Sequence, residues 1–419
     1  MKTRFSISPK AEIVNEKTLI VAVDLGKNSH MGYCRAPNGR EVKPFRFNAN
    51  RQGFDLLWKT IQTALDKLGL ERAVLGFEST SSYGEPLEDF FKDKPGVTLV
   101  QVNPAHVKKM KEVADNSPNK TDKKDPRVIA QMIQMGSFLT CIIPEGPPAE
   151  LRALTQARGF QVEDRVRLSN RLQDLVYKIF PEFCMVIKDP LSQTGRYLLA
   201  NHPAPGQIAS LGVEGLTQIL RKQSRGKLGA GRARVLWEAA RDSVGVKQGV
   251  ESICREIRQL LEQIEGIEKA IKQIEEQLLP CLERIPYSKR LLSIPGIGPV
   301  TVAGILGETG GLDRYSGQRA LLKLAGLNLY EISSGKHQGE RHISKRGRSL
   351  LRRLLFFAAL NSVRKKGIMH GTYQEMIGRG MVKIKALVAI SRKLLGILYA
   401  LARDRRDYVQ KPGELRKTA

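Results

Sequence analysis

Two acidic residues end runs that are typical of buried β-strands. Asp24 closes the run Thr18 to Asp24 (TLIVAVD), and Glu78 closes the run Arg72 to Glu78 (RAVLGFE). A carboxylate at the end of a buried strand is costly unless it is paired or bound to a cation. Taken singly, such a residue is more often a turn cap than a catalytic group, so its meaning depends on what lies beside it.

A second acidic pair follows in the segment Thr121-Asp122-Lys123-Lys124-Asp125. Asp122 and Asp125 are three residues apart, which places both on one face of a helical turn; alternatively, Asp122 caps the helix that contains Asp125. Four converging carboxylates would repel one another unless divalent metal neutralised them, and oxygen-only sites suit Mg²⁺ or Mn²⁺. Such a site can activate a nucleophile and stabilise a leaving oxygen in phosphoryl transfer.

The elements around these acids predict a mixed sheet flanked by helices. Further strands are predicted at residues 30–35, 41–47 and 97–102, and helices at 54–68, 104–112 and 124–135. Hairpin strands followed by strand–helix alternation have the element order of the α/β ribonuclease H-like fold. In that fold the ends of the first and fourth strands are adjacent. We therefore predict a ribonuclease H-like (RuvC-like) domain over residues 1–147.

The middle of the chain, residues 148–284, is predicted to be helical. Apolar residues recur there with alternating spacings of four and three, at Ile253, Ile257, Leu260, Ile264, Ile267, Ile271, Ile274 and Leu278. This heptad register predicts a coiled coil over about 250–280. The register specifies a seam but leaves open whether a second copy or the same chain supplies the partner helix. Residues 181–249 receive no role from the sequence.

The last part, residues 285–419, is predicted to be mainly α-helical and to bind nucleic acid. It opens with Ile294-Pro295-Gly296-Ile297-Gly298, a helix-hairpin-helix pattern in which Gly296 and Gly298 let backbone amides approach a DNA phosphate. Residues 341–419 carry 20 basic and 4 acidic residues, a net charge of +16. These charges interleave with apolar helix positions, which predicts a basic stripe beside a packed face.

Composition narrows the class of protein. The chain has 419 residues, 41% of them apolar, and a formal net charge of +27, which favours a polyanionic partner, nucleic acid first. No run reaches the ~18 apolar residues of a membrane span, and the N-terminus lacks the apolar core of a secretory signal. The five scattered cysteines indicate neither disulfides nor zinc, so we expect a protein of a reducing cytoplasm.

Taken in order, these motifs resemble the DEDD transposases of the bridge-RNA-guided IS110 (IS-one-ten) insertion-sequence family. The matching acids are Asp24 in Val-Ala-Val-Asp-Leu-Gly, Glu78 in Phe-Glu-Ser-Thr, and the Asp122/Asp125 pair. In the C-terminal part the matches are Ile294 to Gly298, Gly326-Leu327, Ser334-Gly335 and Ser344-Lys345-Arg346-Gly347. The resemblance covers roughly residues 18–150 and 285–405.

The resemblance implies a DNA transposase or site-specific recombinase with a serine nucleophile and a divalent metal. The family's nucleophile falls on Ser334, with Ser333 as the alternate, and the four acids hold Mg²⁺ or Mn²⁺. The serine attacks a DNA phosphate and forms a 5′ or 3′ phosphoserine link. The residues implied to bind nucleic acid are Gly296, Gly298, Lys336, Arg341, Lys345, Arg346 and Arg348.

The same resemblance implies partners and a location. We expect donor and target DNA, a non-coding bridge RNA, and a homo-oligomer that is a dimer or, in the synapse, a tetramer. The expected location is the nucleoid-associated cytoplasm of a bacterium or archaeon.

The chain departs from the family pattern in two places. The middle, especially 181–249, is longer than in a compact member, and Ser334-Gly335 has no second adjacent glycine.

Two other functions fit the same residues. One is a RuvC-like Holliday-junction or structure-specific nuclease that uses metal-activated water in place of Ser334. The other is a non-enzymatic nucleic-acid-binding protein. Loss of cleavage on replacing Ser334 would separate the recombinase from the nuclease, and loss of cleavage on replacing Asp24 would separate either enzyme from the binding protein.

Overall fold

The computed structural model describes residues 9–78, 82–115, 125–331, 339 and 341–409. The chain divides into two compact units, residues 1–143 and 144–419. Within the described ranges, no helix is both long and apolar enough to cross a membrane. The prediction of a mixed N-terminal sheet followed by a helical remainder is confirmed.

The N-terminal unit is built on one mixed sheet. Its strands are β1 (Thr18–Asp24), β2 (Ser29–Arg35), β3 (Glu41–Asn48), β4 (Arg72–Glu78), β5 (Val97–Val102) and the short β6 (Leu139–Thr140). Their order across the sheet is β3-β2-β1-β4-β5-β6. Strands β1, β4 and β5 run parallel, whereas β2, β3 and β6 run antiparallel to their neighbours. The central strands are therefore the parallel ones.

Helices cover both faces of this sheet. They are α1 (Pro9–Ile13), α2 (Arg51–Leu68), α3 (Glu85–Phe91), α4 (Pro104–Asp115) and α5 (Asp125–Gln134), with a 3₁₀ turn at Ser82–Gly84. Alternate residues of β1 point to opposite faces: Leu19, Val21 and Val23 pack with α2 and α3, while Ile20 and Ala22 pack with α4 and α5. Burial on both faces explains why β1 is a continuous apolar run.

The second unit is mostly helical. Its helices are α6 (Pro147–Ile179), α7 (Phe183–Val186), α8 (Gln193–Asn201), α9 (Pro205–Ser210), α10 (Gly212–Gln223), α11 (Ala230–Arg241), α12 (Val250–Glu283), α13 (Ser288–Leu292), α14 (Pro299–Thr309), α15 (Gln318–Leu324), α16 (Ser349–Ser362), α17 (His370–Gly378) and α18 (Lys383–Asp404). The short strands β7 (Leu329–Tyr330) and β8 (His342–Ile343) form a small antiparallel ladder.

The two longest helices, α6 and α12, pack against each other in opposite directions. Ion pairs fix this direction: Arg158 contacts Glu275 at 2.7 Å, and Arg165 contacts Glu268 at 2.8 Å. Because residue numbers rise along α6 as they fall along α12, the helices are antiparallel. Glu268 also accepts from Arg196 of α8 at 2.8 Å, and the hydrogen bonds from both arginines hold the Glu268 pKa below its ordinary value against the opposing effect of burial.

The predicted heptad seam of α12 lies along this pair. Ile257, Ile264 and Leu278 are fully buried, whereas Ile271 and Ile274 near the middle are half-buried. Helix α6 of the same chain is thus a partner for the seam. Self-association through the half-buried middle remains a prediction.

Two hydrophobic cores stabilise the second unit. One contains α7 to α11, which pack with the C-terminal part of α6 and the N-terminal part of α12, so residues 181–249 form a helical lobe. The other joins the C-terminal helices to Leu278 and Leu282 of α12. This second core therefore contains side chains from both sides of the predicted boundary after residue 284.

We expect Ile264→Ala to lower the free energy of unfolding by about 2–4 kcal/mol, because the side chain is fully buried and its loss leaves a cavity. Ile271→Ala should cost clearly less, since that site is half-buried. Guanidinium unfolding followed by circular dichroism measures both. Equal losses at the two sites would contradict the burial gradient along α12.

Candidate active site and nucleic-acid interface

Asp24 and Glu78 end neighbouring parallel strands. The β1–β4 register pairs Ala22 with Gly76 and Val23 with Phe77, and each acid is the next residue of its strand. Parallel strands end at the same edge of a sheet, so both carboxylates lie at one edge. Both residues are half-buried there. We call this edge the carboxylate edge.

Strand alternation also places the two acids on one face. Val23 and Phe77 belong to the core beneath α2 and α3, so the residues that follow them point to the opposite face. That face is covered by α4 and α5. Asp24 and Glu78 therefore share both an edge and a face of the sheet.

Helix α5 brings Asp125 to the same edge. Its far end lies where β1 begins, because the Gly136 carbonyl accepts a hydrogen bond from Lys10 of α1, and Lys10 also lies over the Phe138 ring at 5.0 Å. The start of β1 is tied to α1 by the Thr18 hydroxyl, which donates to the Ile13 carbonyl at 3.4 Å. Asp125 is the first residue of α5, so it lies at the opposite end of the helix, about 15 Å along the helix axis from the end near Gly136. It consequently lies toward the strand ends that carry Asp24 and Glu78.

Asp125 is a buried carboxylate with one lysine partner. Its side chain is 8% exposed, and its Oδ2 atom lies 2.6 Å from Lys111 Nζ of α4. Its Oδ1 atom is buried and makes no hydrogen bond to any described residue. A buried carboxylate oxygen without a donor is costly. Asp125 therefore has capacity for a further cation.

The turn after Asp24 is held by His30. His30 is buried, and its Nδ1 accepts the Gly26 backbone N–H at 3.2 Å. The ring stacks on Phe54 at a centroid distance of 6.0 Å, and burial lowers the His30 pKa below its ordinary value. The neutral ring that accepts from Gly26 carries its proton on Nε2. A Cβ on Gly26 would overlap the Ser29 carbonyl oxygen, so this tight turn requires glycine.

The donor chemistry of this edge fits an oxygen-preferring divalent metal. The orphaned Asp125 Oδ1 and two further carboxylates at the same edge and face are the ligand type that Mg²⁺ and Mn²⁺ prefer. Among the described residues, no three His, Cys, Asp or Glu side chains are already close enough to hold an ion. Asp122, the remaining member of the predicted set, lies outside the described residues.

The predicted nucleophile lies outside the described residues, but both ends of its loop are described. Ser333, Ser334 and Lys336 fall in the segment 332–338, between β7 and β8. We call the residues that flank these two strands, 324–328 and 344–347, the loop base. Its two sides are joined by a hydrogen bond, in which the Ser344 N–H donates to the Asn328 carbonyl at 2.9 Å. The Ser344 hydroxyl also donates to Asn328 Oδ1 at 2.5 Å.

Two glycines of the C-terminal motif allow the two sides of the loop base to approach closely. A Cβ on Gly347 would lie 2.3 Å from the Leu324 carbonyl oxygen, and Gly326 has a left-handed φ of 65° and lies against Lys345 and Arg346. Only glycine permits such a backbone approach. The Gly326-Leu327 and Ser344 to Gly347 motifs are thus the two interlocking sides of the loop base.

The predicted basic residues near this loop have different surroundings. Lys345 and Arg346 are exposed, and Arg341 is exposed while it contacts Glu331 at 2.9 Å. Arg348 is instead 19% exposed, donates to the Glu308 carbonyl at 2.7 Å, and lies 3.7 Å from the Glu308 carboxylate. Arg348 therefore ties α14 to the start of α16.

The glycine turn of the predicted hairpin is exposed. Helix α13 leads through Pro295 to α14, with Gly296 in the left-handed region at φ 87° and Gly298 at the N-cap of α14. Gly298 is extended and has no side-chain cap, and a Cβ added there would meet nothing within 4 Å. Pro299, the first residue of α14, has no N–H, and the Thr301 N–H donates to the Gly298 carbonyl at 3.0 Å. The donor that this helix start offers a phosphate is therefore the Val300 N–H, beside the exposed glycine turn.

Sequence reasoning missed three residues with structural roles here. Lys111 is one of several lysines in α4, and its pairing with Asp125 depends on how α4 and α5 pack. His30 gives no pattern signal because its partners are Gly26 and two phenylalanines. Glu308 stands in an apolar helix, and an acid inside such a helix was the signal that a buried ion pair exists.

We expect Lys111→Gln to lower the free energy of unfolding by about 1–3 kcal/mol in EDTA, because it leaves the buried Asp125 carboxylate without its partner. Adding Asp125→Asn should recover part of this loss, so the two changes should be non-additive. Thermal or urea unfolding of the full chain measures the cycle. Lys17→Gln is the control, since the Lys17–Glu71 pair is exposed and should contribute little. Additive losses would contradict the pairing.

We expect Gly347→Ala to destabilise the second unit, because its Cβ would overlap the Leu324 carbonyl oxygen. The cost should exceed about 1 kcal/mol. Gly371→Ala is the matched control: Gly371 lies in α17 with nothing within 4 Å of an added Cβ, so it should be neutral or mildly stabilising. Calorimetric melting temperatures compare the two, and similar values would rule out a tight loop base.

Family comparisons match the two parts of the chain that carry these features. A model of the DEDD transposases of the IS110 type, described as transposase, matches residues 21–181. A model described as the transposase IS116/IS110/IS902 family matches residues 288–374. The first match includes the described carboxylates, and the second includes the glycine hairpin and the loop base.

Individual relatives agree with the family models. The IS116 44.8 kDa protein of Streptomyces clavuligerus is 28% identical over 294 residues, 70% of this chain and 73% of that protein. The IS110 43.6 kDa protein of Streptomyces coelicolor is 23% identical over 395 residues, 92% of this chain and 94% of that protein. The transposase of element IS1111A from Coxiella burnetii is 28% identical over 144 residues, 34% of this chain and 40% of that protein. Two family models in the expected order, together with these relatives, show that the chain belongs to the IS110/IS116/IS902 family of insertion-sequence transposases.

Proposed function

We propose that this transposase cuts and rejoins DNA with a metal-binding DEDD site and a serine nucleophile. The observation that carries the metal site is the placement of Asp24, Glu78 and Asp125 toward one edge and face of the sheet, with Asp125 Oδ1 buried and unsatisfied. This arrangement supports a RuvC-like, ribonuclease H-like assignment of the N-terminal unit. Asp122 completes the proposed set.

The four carboxylates would hold Mg²⁺ or Mn²⁺. When bound, such an ion neutralises phosphate charge and favours ionisation of an attacking hydroxyl. The protein's own part is to hold the acids in alignment. Fixed strand ends and the His30–Gly26 bond position Asp24, and Lys111 balances the charge of Asp125 beside the cation site.

Ser334 is the proposed nucleophile, with Ser333 as the alternate. The Ser334 hydroxyl loses its proton as Oγ bonds to the DNA phosphorus, and the P–O bond to the adjoining sugar breaks. The released sugar oxygen takes up a proton and becomes a free hydroxyl end. Attack by the hydroxyl of another DNA end reverses these bond changes, frees the serine and joins new strands. Each step breaks one phosphate ester bond and forms another, so no external energy source is needed.

The exposed cations and the glycine hairpin would hold the DNA backbone around this reaction. Gly296 and Gly298 offer free amides, while Lys345 and Arg346 offer exposed charge near the Ser334 loop. Lys336 and Arg341 are proposed for the same role, whereas the ion pair of Arg348 with Glu308 favours an indirect one. The sequence has no recognisable base-reading module such as a zinc finger, which supports the proposal that a bridge RNA selects the donor and target sequences.

Oligomerisation is proposed on two grounds. The Asp24 and Ser334 motifs lie 310 residues apart in the sequence, so a reaction that uses both can draw them from different copies of the chain. The half-buried middle of α12, including Ile271 and Ile274, offers apolar surface for a second copy. We propose a homo-oligomer that acts on DNA in the bacterial cytoplasm, in keeping with the bacterial sources of the relatives.

The test is a cleavage and strand-transfer assay on the element's own DNA ends, with Asp24→Asn, Asp125→Asn and Ser334→Ala as variants. We expect each to lower product formation by about 100-fold or more, because each removes a group that contacts the reacting phosphate or its metal. DNA binding in EDTA should persist in all three. Asp66→Asn, an exposed acid at the end of α2, is the control and should keep full activity.

Each pattern of results has a distinct meaning. The serine mechanism is supported if the parent protein forms a covalent protein–DNA adduct and Ser334→Ala does not. If the adduct survives in Ser334→Ala but is lost in Ser333→Ala, the nucleophile is Ser333. Cleavage that survives Ser334→Ala without an adduct would instead favour a metal-dependent nuclease. Cleavage that survives Asp24→Asn and Asp125→Asn would exclude the metal site.

A further inference from the structure

A cluster of unpaired cations lies in the helical lobe, away from either proposed catalytic motif in the sequence. It occupies the end of α10, the turn and the start of α11, residues 221–234, which we call the basic hairpin. Its cations are Arg221, Lys222, Arg225, Lys227, Arg232 and Arg234, and residues 221–237 contain no acid. All six side chains are exposed, and none forms an ion pair with a described residue.

The packing of the two helices directs these cations outward. Leu216 and Leu220 of α10 and Ala233 and Leu236 of α11 are buried in the core of the lobe. Because these apolar side chains are buried, the charged side chains of both helices point into solvent. Like charges this close repel one another unless a polyanion or counterions neutralise them.

Four exposed cations elsewhere in the chain have a different arrangement. Arg51, Arg167, Lys269 and Lys272 each contact an acid three or four residues away on their own helix. Their side chains are 72–80% exposed, so exposure alone does not separate them from the basic hairpin. The difference is the missing acidic partner.

The turn of the hairpin holds an arginine where glycine is normally found. The Gly226 N–H donates to the Arg221 carbonyl at 2.8 Å, the six-to-one bond of a Schellman cap, and Arg225 adopts the left-handed φ of 54° that this cap requires. A side chain in that region carries a cost that glycine avoids. Retaining a cation at a strained position points to a use for its charge.

The start of α11 adds backbone donors to the same surface. Its N-cap is Gly229, which provides no side-chain acceptor, and its first turn carries no acid. A Cβ added at Gly229 or Gly231 would meet nothing within 4 Å, so a phosphate can approach the first amides closely. Helix N-termini favour anions through these free N–H groups.

We propose that the basic hairpin is a further binding site for the phosphodiester backbone of duplex DNA. Its donors are long cations and backbone amides, which fit phosphates without reading bases. Unpaired RNA bases are usually held by stacking on exposed aromatic rings. Trp237 is the only aromatic residue in 212–241, and it is half-buried, donates to the Ala209 carbonyl and lies beneath Arg241. This site goes beyond the proposed catalysis because it needs neither Ser334 nor a metal.

The test compares two quadruple variants of the full chain with equal charge loss. One neutralises the hairpin by Arg221→Gln, Lys222→Gln, Arg225→Gln and Lys227→Gln. The control neutralises the self-paired cations by Arg51→Gln, Arg167→Gln, Lys269→Gln and Lys272→Gln. Fluorescence anisotropy in EDTA measures the Kd of a short mixed-sequence DNA duplex over a salt series.

We expect the hairpin variant to raise Kd by about tenfold or more. The slope of log Kd against log salt should fall by about 3.6 if all four cations contact phosphates, at about 0.9 for each lost contact. The control should keep the parent slope. Equal changes in both variants would reduce the effect to net charge and overturn the site. Loss of affinity for a structured RNA hairpin alone, with DNA binding kept, would overturn the assignment to DNA.

Arg225→Gly gives a second readout that a structural role cannot mimic. It should raise the melting temperature or leave it unchanged, since glycine suits the left-handed cap, while Kd for the duplex rises about two- to fivefold. A lower melting temperature with unchanged Kd would make Arg225 a structural residue and overturn its part in the site.

Discussion

Strand register is the constraint on which the N-terminal unit depends. Asp24 and Glu78 stand on adjacent parallel strands, and α5 brings Asp125 to the same edge. The sheet must hold this register, because a slip of one residue would turn an acid to the opposite face. Continuous apolar strands buried between two helical layers supply that rigidity. Lys111 supplies a positive charge beside Asp125, so the fold tolerates the buried acid while one of its oxygens stays open to a cation.

The second unit solves a different problem, which is to hold both ends of a loop that contains the proposed nucleophile. Backbone bonds from Ser344 and Lys345 to Asn328 and Gly326 join the strands on either side of residues 331–341. Close approach of two glycine-containing segments makes this possible, and the Arg348–Glu308 pair anchors the next helix. The Gly326-Leu327 and Ser344 to Gly347 motifs are therefore largely structural, because their glycines allow the close backbone approach that joins the two segments.

The sequence predicted those features that depend on local pattern. The ends of β1 and β4 fall on Asp24 and Glu78 as expected, because apolar runs and turn residues specify strands directly. The heptad does not predict the partner of the α12 seam, since it shows which face of the helix is apolar but not which helix covers that face. The structure supplies α6, whose arginines meet Glu268 and Glu275. The partners of Lys111 and Arg348 could not be predicted from sequence, because these contacts come from packing between separate segments.

The net charge of +27 combines cations that have different physical environments. Lys269 and Lys272 are neutralised by acids on the same helix, so they contribute little to the field that a polyanion meets. Arg225 and its neighbours have no such partner, and Arg225 keeps a backbone conformation that costs stability. Glycine adopts this conformation without that cost, as it does at left-handed turns such as Gly69 and Gly310. The presence or absence of an acidic partner therefore separates cations that serve the fold from cations that are available to nucleic acid.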